Sequence, residues 1–302
     1  MQEIHAIHFK YFKDLGENIN RMSNRSKFSE IKVLDYSSKE VFVITQNDTL
    51  NYARKLMLKN GISKLVVINE ENKLVGIITL RDIASILTKL ASSGELDLNA
   101  ILVKNVMTKN VIQVEPNASV KEAALLMVKN KIGSVVVTEN DEIVGIFTKT
   151  DVCKAYNDYP IEELRVKSVM QKKFTTVNIL SSLWKVIEKI KEGEDLIIVE
   201  DNKKPVGIIT LSMLASLDEK DFIRGKVNYL RGGINQEKIK TGNLARDFMF
   251  KIDTVIFEGE KLQKASNYII KFNIPAIPVV DLTGSIIGLV SKNDITKVVA
   301  LL

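Results

Sequence analysis

Short apolar runs alternate with amphipathic segments along most of this chain, and the same order recurs four times. The apolar runs are rich in β-branched residues, which favours strands. The segments between them have the apolar spacing of helices. Each copy therefore predicts the order β-α-β-β-α. The strand runs are 41–44, 64–68 and 74–79; 111–114, 135–137 and 143–148; 196–199 and 206–210; and 277–280 and 286–291.

Capping residues predict where the helices begin and end. Asp48 is a good N-cap for the first helix, and Asn60-Gly61 supplies its C-terminal stop. Pro116-Asn117 is expected to start the corresponding helix of the second copy, and Asp82 is expected to open the closing helix of the first.

Each copy closes on one motif: Gly, two apolar residues, Thr or Ser, two variable residues, then Asp. The third copy has Met in place of the Asp. Self-similarity at this period predicts a protein built from structural repeats. The four motifs run from Gly76 to Asp82, from Gly145 to Asp151, from Gly207 to Met213 and from Gly288 to Asp294.

Each repeat is small, at about 55–65 residues, and buries only a limited core alone. Its strands are apolar nearly throughout, so both sheet faces should be covered. We therefore expect the repeats to pair, one with two and three with four. The predicted segments are an N-terminal extension (1–30), repeats one (31–95), two (101–160) and three (164–219), a basic connector (220–243) and repeat four (244–302).

Bulk composition narrows the class of protein. The 302 residues are 45% hydrophobic and 26% charged, and no apolar run approaches the roughly 18 residues of a membrane span. The N-terminus has no signal-peptide core, and Cys153 is the only cysteine, so we expect a cytoplasmic protein that does not engage a membrane. The net charge of +6 is compatible with phosphate ligands or with nucleic acid.

Much of that charge lies between repeats three and four. Residues 220–247 hold seven Lys or Arg against three acidic residues, and Gly232-Gly233 makes the segment loop-like. The segment is either a solvated connector or a contact surface for an acidic partner.

The Thr/Ser-x-x-Asp ending has two interpretations that do not exclude each other. It resembles a capping box at a helix start. It also places a hydroxyl and free helix N–H groups, which suit phosphate, beside a carboxylate that suits a ribose diol. The motif glycine permits a close approach to the backbone.

Catalytic arrangements are absent from the sequence. No P-loop, nucleophile elbow or Cys-x-x-Cys pair occurs, so we expect no enzyme activity. His5 and His8 lack further metal ligands and are expected on a solvated helix face, with no metal site. Cys153 and Trp184 are expected in the core.

The motif, the β-α-β-β-α order and a lead-in with Met resemble cystathionine β-synthase (CBS) domains. The lead-ins are Val106-Met107-Thr108, Val169-Met170 and Phe248-Met249. Four copies over residues 31–302 resemble two tandem pairs, or Bateman modules. The architecture is similar to that of the gamma subunit of AMP-activated protein kinase.

The resemblance implies a disc of paired α/β repeats with clefts for AMP, ADP, ATP or an adenosyl compound. The Thr or Ser of the motif would meet phosphate or ribose, the Asp the ribose, and the residue before the Asp the phosphate. The segment before the second strand of the partner repeat would also contribute. The implied nucleotide-binding residues are Thr79, Arg81 and Asp82; Thr148, Thr150 and Asp151; Ser291, Asn293 and Asp294; Thr210; Ile62, Ser63 and Lys64; Ile132, Gly133 and Ser134; and Ile274, Pro275 and Ala276.

Three departures from the family pattern weaken individual clefts. Tyr36 stands near the expected Met of the first lead-in, Met213 replaces the Asp of repeat three, and Gly193-Glu194-Asp195 precedes the second strand of that repeat.

The sequence therefore predicts a non-enzymatic regulatory protein that binds adenine nucleotide and acts on an effector protein, with homodimer formation possible. The alternative is a protein that binds nucleic acid through the basic connector, or a structural adaptor with degenerate clefts.

Overall fold

The computed structural model describes residues 27–93, 97–194, 196–217 and 244–302. Both histidines, most of the predicted N-terminal extension and the basic connector lie outside the described residues. None of the helices in the described ranges is long and apolar enough to cross a membrane.

Four small sheets, one in each repeat, share one topology. The first strand pairs parallel with the second, the second pairs antiparallel with the third, and a helix makes the parallel crossover. The predicted mixed α/β repeat order is therefore confirmed. The strands are β1 (Val43–Thr45), β2 (Lys64–Ile68), β3 (Leu74–Thr79), β4 (Gln113–Val114), β5 (Ser134–Glu139), β6 (Glu142–Thr148), β7 (Thr175–Asn178), β8 (Leu196–Asp201), β9 (Lys204–Thr210), β10 (Phe250–Lys251), β11 (Ile256–Phe257), β12 (Ala276–Val280) and β13 (Ile286–Ser291).

The closing helix is regular in repeats one, two and four. In repeat three it is replaced by a short 3-10 helix, Leu211–Ser216. The α-helices are α1 (Lys27–Glu30), α2 (Val33–Tyr36), α3 (Leu50–Lys59), α4 (Leu80–Ser93), α5 (Val120–Lys129), α6 (Lys149–Asp158), α7 (Leu183–Lys191), α8 (Ala245–Phe248), α9 (Leu262–Lys271) and α10 (Lys292–Leu301).

All three predicted helix starts are wrong by a few residues. The closing helix of repeat one, α4, begins at Leu80, so Asp82 is its third residue and not its first. Thr49, not Asp48, caps α3, because its hydroxyl accepts a hydrogen bond from the Tyr52 N–H. The Asp48 carboxylate instead accepts from the N–H and the hydroxyl of Thr45, at 2.9 and 2.8 Å. In repeat two, Ser119 caps α5, two residues after the predicted Pro116-Asn117 start.

A lead-in segment before each repeat forms one helical turn and then pairs with the third strand of another repeat. Repeats one and two exchange these segments, and so do repeats three and four. The residue just after the motif glycine is the strand partner in all four cases. The pairs are Ser38 with Ile146, Thr108 with Ile77, Gln171 with Leu289 and Phe250 with Ile208.

The close approach expected at the motif glycine is made by the lead-in segment itself. A Cβ atom at Gly76 would lie 2.5 Å from the Met107 sulfur, and one at Gly288 would lie 2.8 Å from the Gln171 carbonyl oxygen. Real Cβ atoms do not come so close to other heavy atoms, so only glycine fits without a shift. The motif glycine and the Met of the exchanged lead-in thus contact each other.

Contacts divide the chain into two compact units. Unit one holds the described residues up to Val41, Ile112–Lys172 and Thr254–Leu302, and therefore repeats two and four. Unit two holds the described residues within Phe42–Val111 and Lys173–Asp253, and therefore repeats one and three.

Each unit has its own core. In unit one, α10 packs on α5 and α6, around fully buried Phe147 and Tyr156. In unit two, α4 packs on the 3-10 helix of repeat three, near fully buried Leu65 and Ile78. The compact units thus differ from the tandem pairs that the sequence suggests, because helix packing joins alternate repeats while lead-in exchange links consecutive ones.

Candidate functional site

The Thr/Ser-x-x-Asp motif forms a capping box in repeats one, two and four. One oxygen of each Asp accepts hydrogen bonds from both the N–H and the hydroxyl of the Thr or Ser that precedes the helix. The N–H and hydroxyl distances are 2.8 and 2.7 Å from Thr79 to Asp82, 2.9 and 2.7 Å from Thr148 to Asp151, and 2.9 and 2.6 Å from Ser291 to Asp294. The capping interpretation therefore describes the hydrogen bonds of all three copies.

The segment before the second strand lies beside the motif of its own repeat. The carbonyl oxygens of Ser63, Gly133 and Pro275 accept from the first N–H of the closing helix, that of Leu80, Lys149 and Lys292 respectively. The flanking residues pair across the sheet: Lys64 with Thr79, Ser134 with Thr148 and Ala276 with Ser291.

These bonds correct one expectation from the sequence. The N–H groups of the closing helices were expected to be free for phosphate. The first N–H of each is taken by the carbonyl just named. In repeat two the Thr150 N–H also donates to the Thr148 hydroxyl, and in repeat one the Asp82 N–H donates to the Thr79 hydroxyl at 3.3 Å. The first backbone N–H of these closing helices is therefore not available to an anion.

The exchanged lead-in completes the edge of each site, which the sequence analysis did not foresee. The Gln171 side chain of repeat three donates to both carboxylate oxygens of Asp294 in repeat four, at 2.9 and 2.8 Å. Thr108 and Ser38 have the equivalent backbone position on repeats one and two. The available signal was the residue that follows the recurring Met, together with its register against the motif glycine.

Three carboxylates of the motif differ in accessibility. Asp82 is half-buried, whereas Asp151 and Asp294 are 5% and 3% exposed. Asp151 is bonded by Lys154 at 2.8 Å, and Asp294 also lies 3.5 Å from the Lys297 ammonium. Asp82 is therefore the most accessible of the three carboxylates, whereas Asp151 and Asp294 are buried and already have lysine or amide partners.

The two predicted phosphate residues of unit one, Thr150 and Asn293, each accept a hydrogen bond from a lysine of the other repeat. Lys149 of repeat two donates to the Asn293 side-chain oxygen of repeat four at 2.8 Å. Lys292 of repeat four donates to the Thr150 hydroxyl of repeat two at 3.1 Å. The starts of α6 and α10 are therefore linked by reciprocal bonds. Arg81, the equivalent residue of repeat one, is exposed.

Comparison with known protein families identifies the family to which these repeats belong. The CBS domain family matches residues 33–89, 103–158, 166–219 and 245–301, which is most of the chain. The chain belongs to the CBS domain family. CBS domains are regulatory modules, and the resemblance seen in the four motifs and the Met lead-ins is thereby confirmed.

Individual relatives share parts of this CBS chain. An uncharacterised protein of Methanocaldococcus jannaschii, MJ1232, is 37% identical over 130 residues, which are 43% of this chain and 40% of that protein. The inosine-5′-monophosphate dehydrogenase of the same organism is 26% identical over 248 residues, which are 75% of this chain and 46% of the enzyme. The chain thus spans under half the length of these two relatives.

Solved structures show the same fold at low identity. MJ1225 of M. jannaschii, which has been proposed as an archaeal homologue of γ-AMPK, superimposes with a TM-score of 0.72 and 23% identity. That likeness covers 88% of this chain and 99% of MJ1225. An uncharacterised protein of Pyrococcus horikoshii superimposes with a TM-score of 0.58 and 21% identity, covering 89% of this chain and 100% of that one.

The third CBS repeat lacks the complete site. The Thr210 side chain makes no capping hydrogen bond to the 3-10 helix that follows, and Met213 stands where the carboxylate would be. Without the capping box, the 3-10 helix ends at Ser216, whose hydroxyl donates to the Met213 carbonyl. Asp195 lies outside the described residues.

Tyr36, which was singled out from the sequence, does not lie at the Met position of the first lead-in. Ser37, not Tyr36, occupies the Met position of the first lead-in, because Ser37 faces Gly145 as Met107 faces Gly76. The Tyr36 hydroxyl donates to Asp158 at 2.6 Å, in an open cleft away from the motifs.

Side chains with catalytic potential are scarce in the described ranges. No group of three or more His, Cys, Asp or Glu there could hold a metal ion. Cys153 is fully buried as expected, and burial raises the pKa of its thiol to about 12, which suppresses the reactive thiolate. Trp184 is half-buried against the core of unit two, with its indole N–H unpaired.

Proposed function

We propose that this CBS-domain protein is a non-enzymatic regulatory protein that binds AMP, ADP, ATP or an adenosyl compound and transmits the bound state to an effector protein. The main support is the recurring placement of a Thr or Ser and an Asp at one sheet edge, beside the exchanged lead-in. Such an edge offers a carboxylate and hydroxyls to a ribose, with Arg81, Lys149 and Lys292 nearby for phosphate.

The exchanged lead-in gives a physical route for regulation. A ligand seated against Asp82 and Thr108 would touch segments from repeats one and two at once, because Thr108 precedes the first strand of repeat two. A ligand alters an equilibrium only through different affinity for its states, so a ligand that contacts both segments can bias how this lead-in packs on repeat one within unit two.

The direct test is mass spectrometry of small molecules released from the purified protein, followed by calorimetry with each candidate. We expect saturable binding of at least one adenine compound. Asp82→Asn should weaken the cleft of repeat one by about ten- to a hundredfold, because a hydrogen bond to a charged group contributes about 1.5–3 kcal/mol. No heat with any adenine compound at millimolar concentration would refute the proposal.

The absence of enzyme activity is tested separately. The purified protein should release neither phosphate nor adenine from added nucleotide during prolonged incubation. Turnover that disappears with Asp82→Asn would contradict the regulatory assignment.

A further inference from the structure

One residue of each exchanged lead-in lies beside the motif of another repeat, and its type changes from repeat to repeat. It is the residue after the Met position, and it pairs with the residue after the motif glycine. Two of the four are short hydroxyl residues, one is aromatic, and one is a long amide with two N–H donors. They are Thr108 on repeat one, Ser38 on repeat two, Phe250 on repeat three and Gln171 on repeat four.

The Gln171 side chain reaches the two motif residues of repeat four. Its Nε2 atom lies 2.9 Å from Oδ1 and 2.8 Å from Oδ2 of Asp294, and 3.5 Å from the Ser291 hydroxyl. In the part of the chain that the structure describes, no other residue at this lead-in position has a side-chain bond to a motif Asp. The Ser38 hydroxyl, for example, donates to the carbonyl oxygen of Glu40.

The bond from Gln171 completes the set of partners around the Asp294 carboxylate. A carboxylate offers about four lone-pair positions to hydrogen-bond donors. Oδ2 accepts from the N–H and the hydroxyl of Ser291 and from Gln171. Oδ1 accepts from Gln171 and lies 3.5 Å from the Lys297 ammonium. Asp294 therefore has no spare acceptor for the two hydroxyls of a ribose.

The carboxylate of repeat one is less fully used. Oδ2 of Asp82 accepts the two capping bonds from Thr79, and none of the described residues donates to Oδ1. Two hydroxyls on neighbouring carbons, as in ribose, can donate to the two oxygens of a carboxylate. The Gln171 amide makes the same pair of contacts at Asp294 and therefore imitates a ribose diol there.

We propose that Gln171 is a specificity-determining residue of the repeat-four cleft, where it holds the Asp294 carboxylate in place of a ribose diol. The inference rests on the proposed function, since it concerns which ligands one of the proposed clefts accepts. With Gln171 in place, the repeat-four cleft gains little from the diol and binds a ribonucleotide and its 2′,3′-dideoxy analogue about equally. The repeat-one cleft, which is edged by Thr108, favours the ribonucleotide.

Calorimetry on the full chain tests the role of Gln171, with AMP and 2′,3′-dideoxy-AMP as probes. An Asp82→Asn background weakens the cleft of repeat one, so that a change at repeat four stands out in the isotherm. In that background, Gln171→Thr gives repeat four the lead-in residue of repeat one. AMP binding should become about tenfold tighter, because Asp294 regains acceptors for the diol, and dideoxy-AMP binding should stay unchanged.

The reciprocal variant places the longer side chain on repeat one. Thr108→Gln, in an otherwise unmodified chain, puts an amide at the position from which Gln171 reaches Asp294. It should weaken AMP binding at the Asp82 cleft about tenfold and leave dideoxy-AMP binding unchanged.

Thermal melting of the free protein separates specificity from structural support. Gln171→Thr removes a bond to a buried carboxylate, so the variant should melt below its parent although it binds AMP more tightly. Gln263→Thr is the matched control, because the Gln263 side chain donates to the Asn157 carbonyl oxygen at 3.0 Å, near the end of α6 in the same unit. It should also melt lower, but its affinity for both probes should not change.

Three results would overturn the inference. These are AMP affinity that does not rise in Gln171→Thr, an equal rise for dideoxy-AMP, and unchanged AMP affinity in Thr108→Gln. If Gln171→Thr does not fold, Thr108→Gln alone decides. When the parent binds AMP but Gln171→Thr binds it no more tightly, only the inference fails and the proposed function stands. Absence of AMP binding in every variant refutes the inference as well, and calorimetry with the other adenine compounds then decides the proposed function separately.

Discussion

Units one and two are built from repeats of the same fold, but the motif residues that could contact a ligand differ between them. Unit one has two complete capping boxes, with buried carboxylates that already have cationic or amide partners. Unit two has one complete box, at the half-buried Asp82, and a second repeat in which Met213 replaces the carboxylate. Motif identity at the sequence level therefore does not make the clefts equivalent.

The comparison indicates that the Asp of the motif has a different main role in each unit. In unit one both motif Asp residues are bonded to their own helix start, and each has a further partner: Lys154 for Asp151 and Gln171 of the lead-in for Asp294. In unit two the Asp of repeat one keeps the same cap but remains more accessible to water. We expect mutations of the motif to disturb folding in unit one and ligand binding in unit two.

The largest difference should follow from truncating the two Asp residues. Asp294→Ala leaves the Gln171 amide and the Lys297 ammonium without their buried acceptor, which should cost about 3 kcal/mol or more. Asp82→Ala removes a half-buried cap and should cost about 1 kcal/mol. Urea unfolding followed by circular dichroism measures both.

The single tryptophan gives this experiment its internal control. Trp184 packs against the core of unit two. Asp294→Ala should therefore lower the circular dichroism midpoint more than the fluorescence midpoint. Equal costs for Asp294→Ala and Asp82→Ala would contradict the assignment of different roles.

A gain of function is expected from Met213→Asp. A ribose bound at the repeat-three cleft would lose water from its hydroxyls without gaining a good partner, which would cost about 1–3 kcal/mol. Supplying the carboxylate should strengthen that cleft about tenfold or more and raise the calorimetric stoichiometry by up to one nucleotide per chain.

Met213→Asn is the matched control, because it is polar but uncharged and should gain less. Four equal sites in the unmodified protein would contradict the inequality of the clefts.

Local patterns sufficed to predict much of the fold. The bounds of β2 and β3 agree with their predicted runs, because β-branched clusters and polar turns act over a few residues. The capping box of Asp82 also follows from adjacent residues. The wrong cap at Asp48 has a local origin too, since Thr49 beside it is an equally suitable capping residue.

Non-local pairings could not be predicted in the same way. The bond from Gln171 to Asp294 joins positions 123 residues apart, and that from Lys149 to Asn293 joins positions 144 apart. Lysine at the start of a helix has no periodicity or motif that would indicate its partner. The sequence therefore identified the motif of each repeat but not the contacts that make the two units different.

The lead-in contact predicts a smaller loss of stability at one glycine. In Gly288→Ala the new methyl group would lie 2.8 Å from a backbone oxygen of Gln171, which cannot rotate away. We expect a loss of about 2 kcal/mol from overpacking.

Gly76→Ala meets the flexible Met107 sulfur in unit two instead and should cost less. Gly259→Ala, where a Cβ would have nothing within 4 Å, is the control and should change the free energy of unfolding by under about 0.5 kcal/mol. Equal losses in all three variants would show that the lead-in contact does not matter.

The smallest expected effect concerns alkaline pH and the buried thiol of unit one. Burial raises the pKa of Cys153 from 9.0 to about 12. In the unfolded chain the thiol ionises near pH 9, whereas in the folded protein it stays protonated. The raised pKa of the thiol therefore makes its full contribution to the free energy of unfolding below pH 9. That contribution is lost as the pH rises toward 12, by about 1.4 kcal/mol per pH unit. Urea unfolding at pH 8, 9.5 and 10.5 measures the free energy of unfolding of the unmodified protein and of Cys153→Ala. Other groups titrate equally in both proteins, so the difference between the two free energies isolates the thiol, and we expect the unmodified protein to lose more stability as the pH rises. Parallel curves for the two proteins would mean that Cys153 ionises in the folded state as readily as in the unfolded chain.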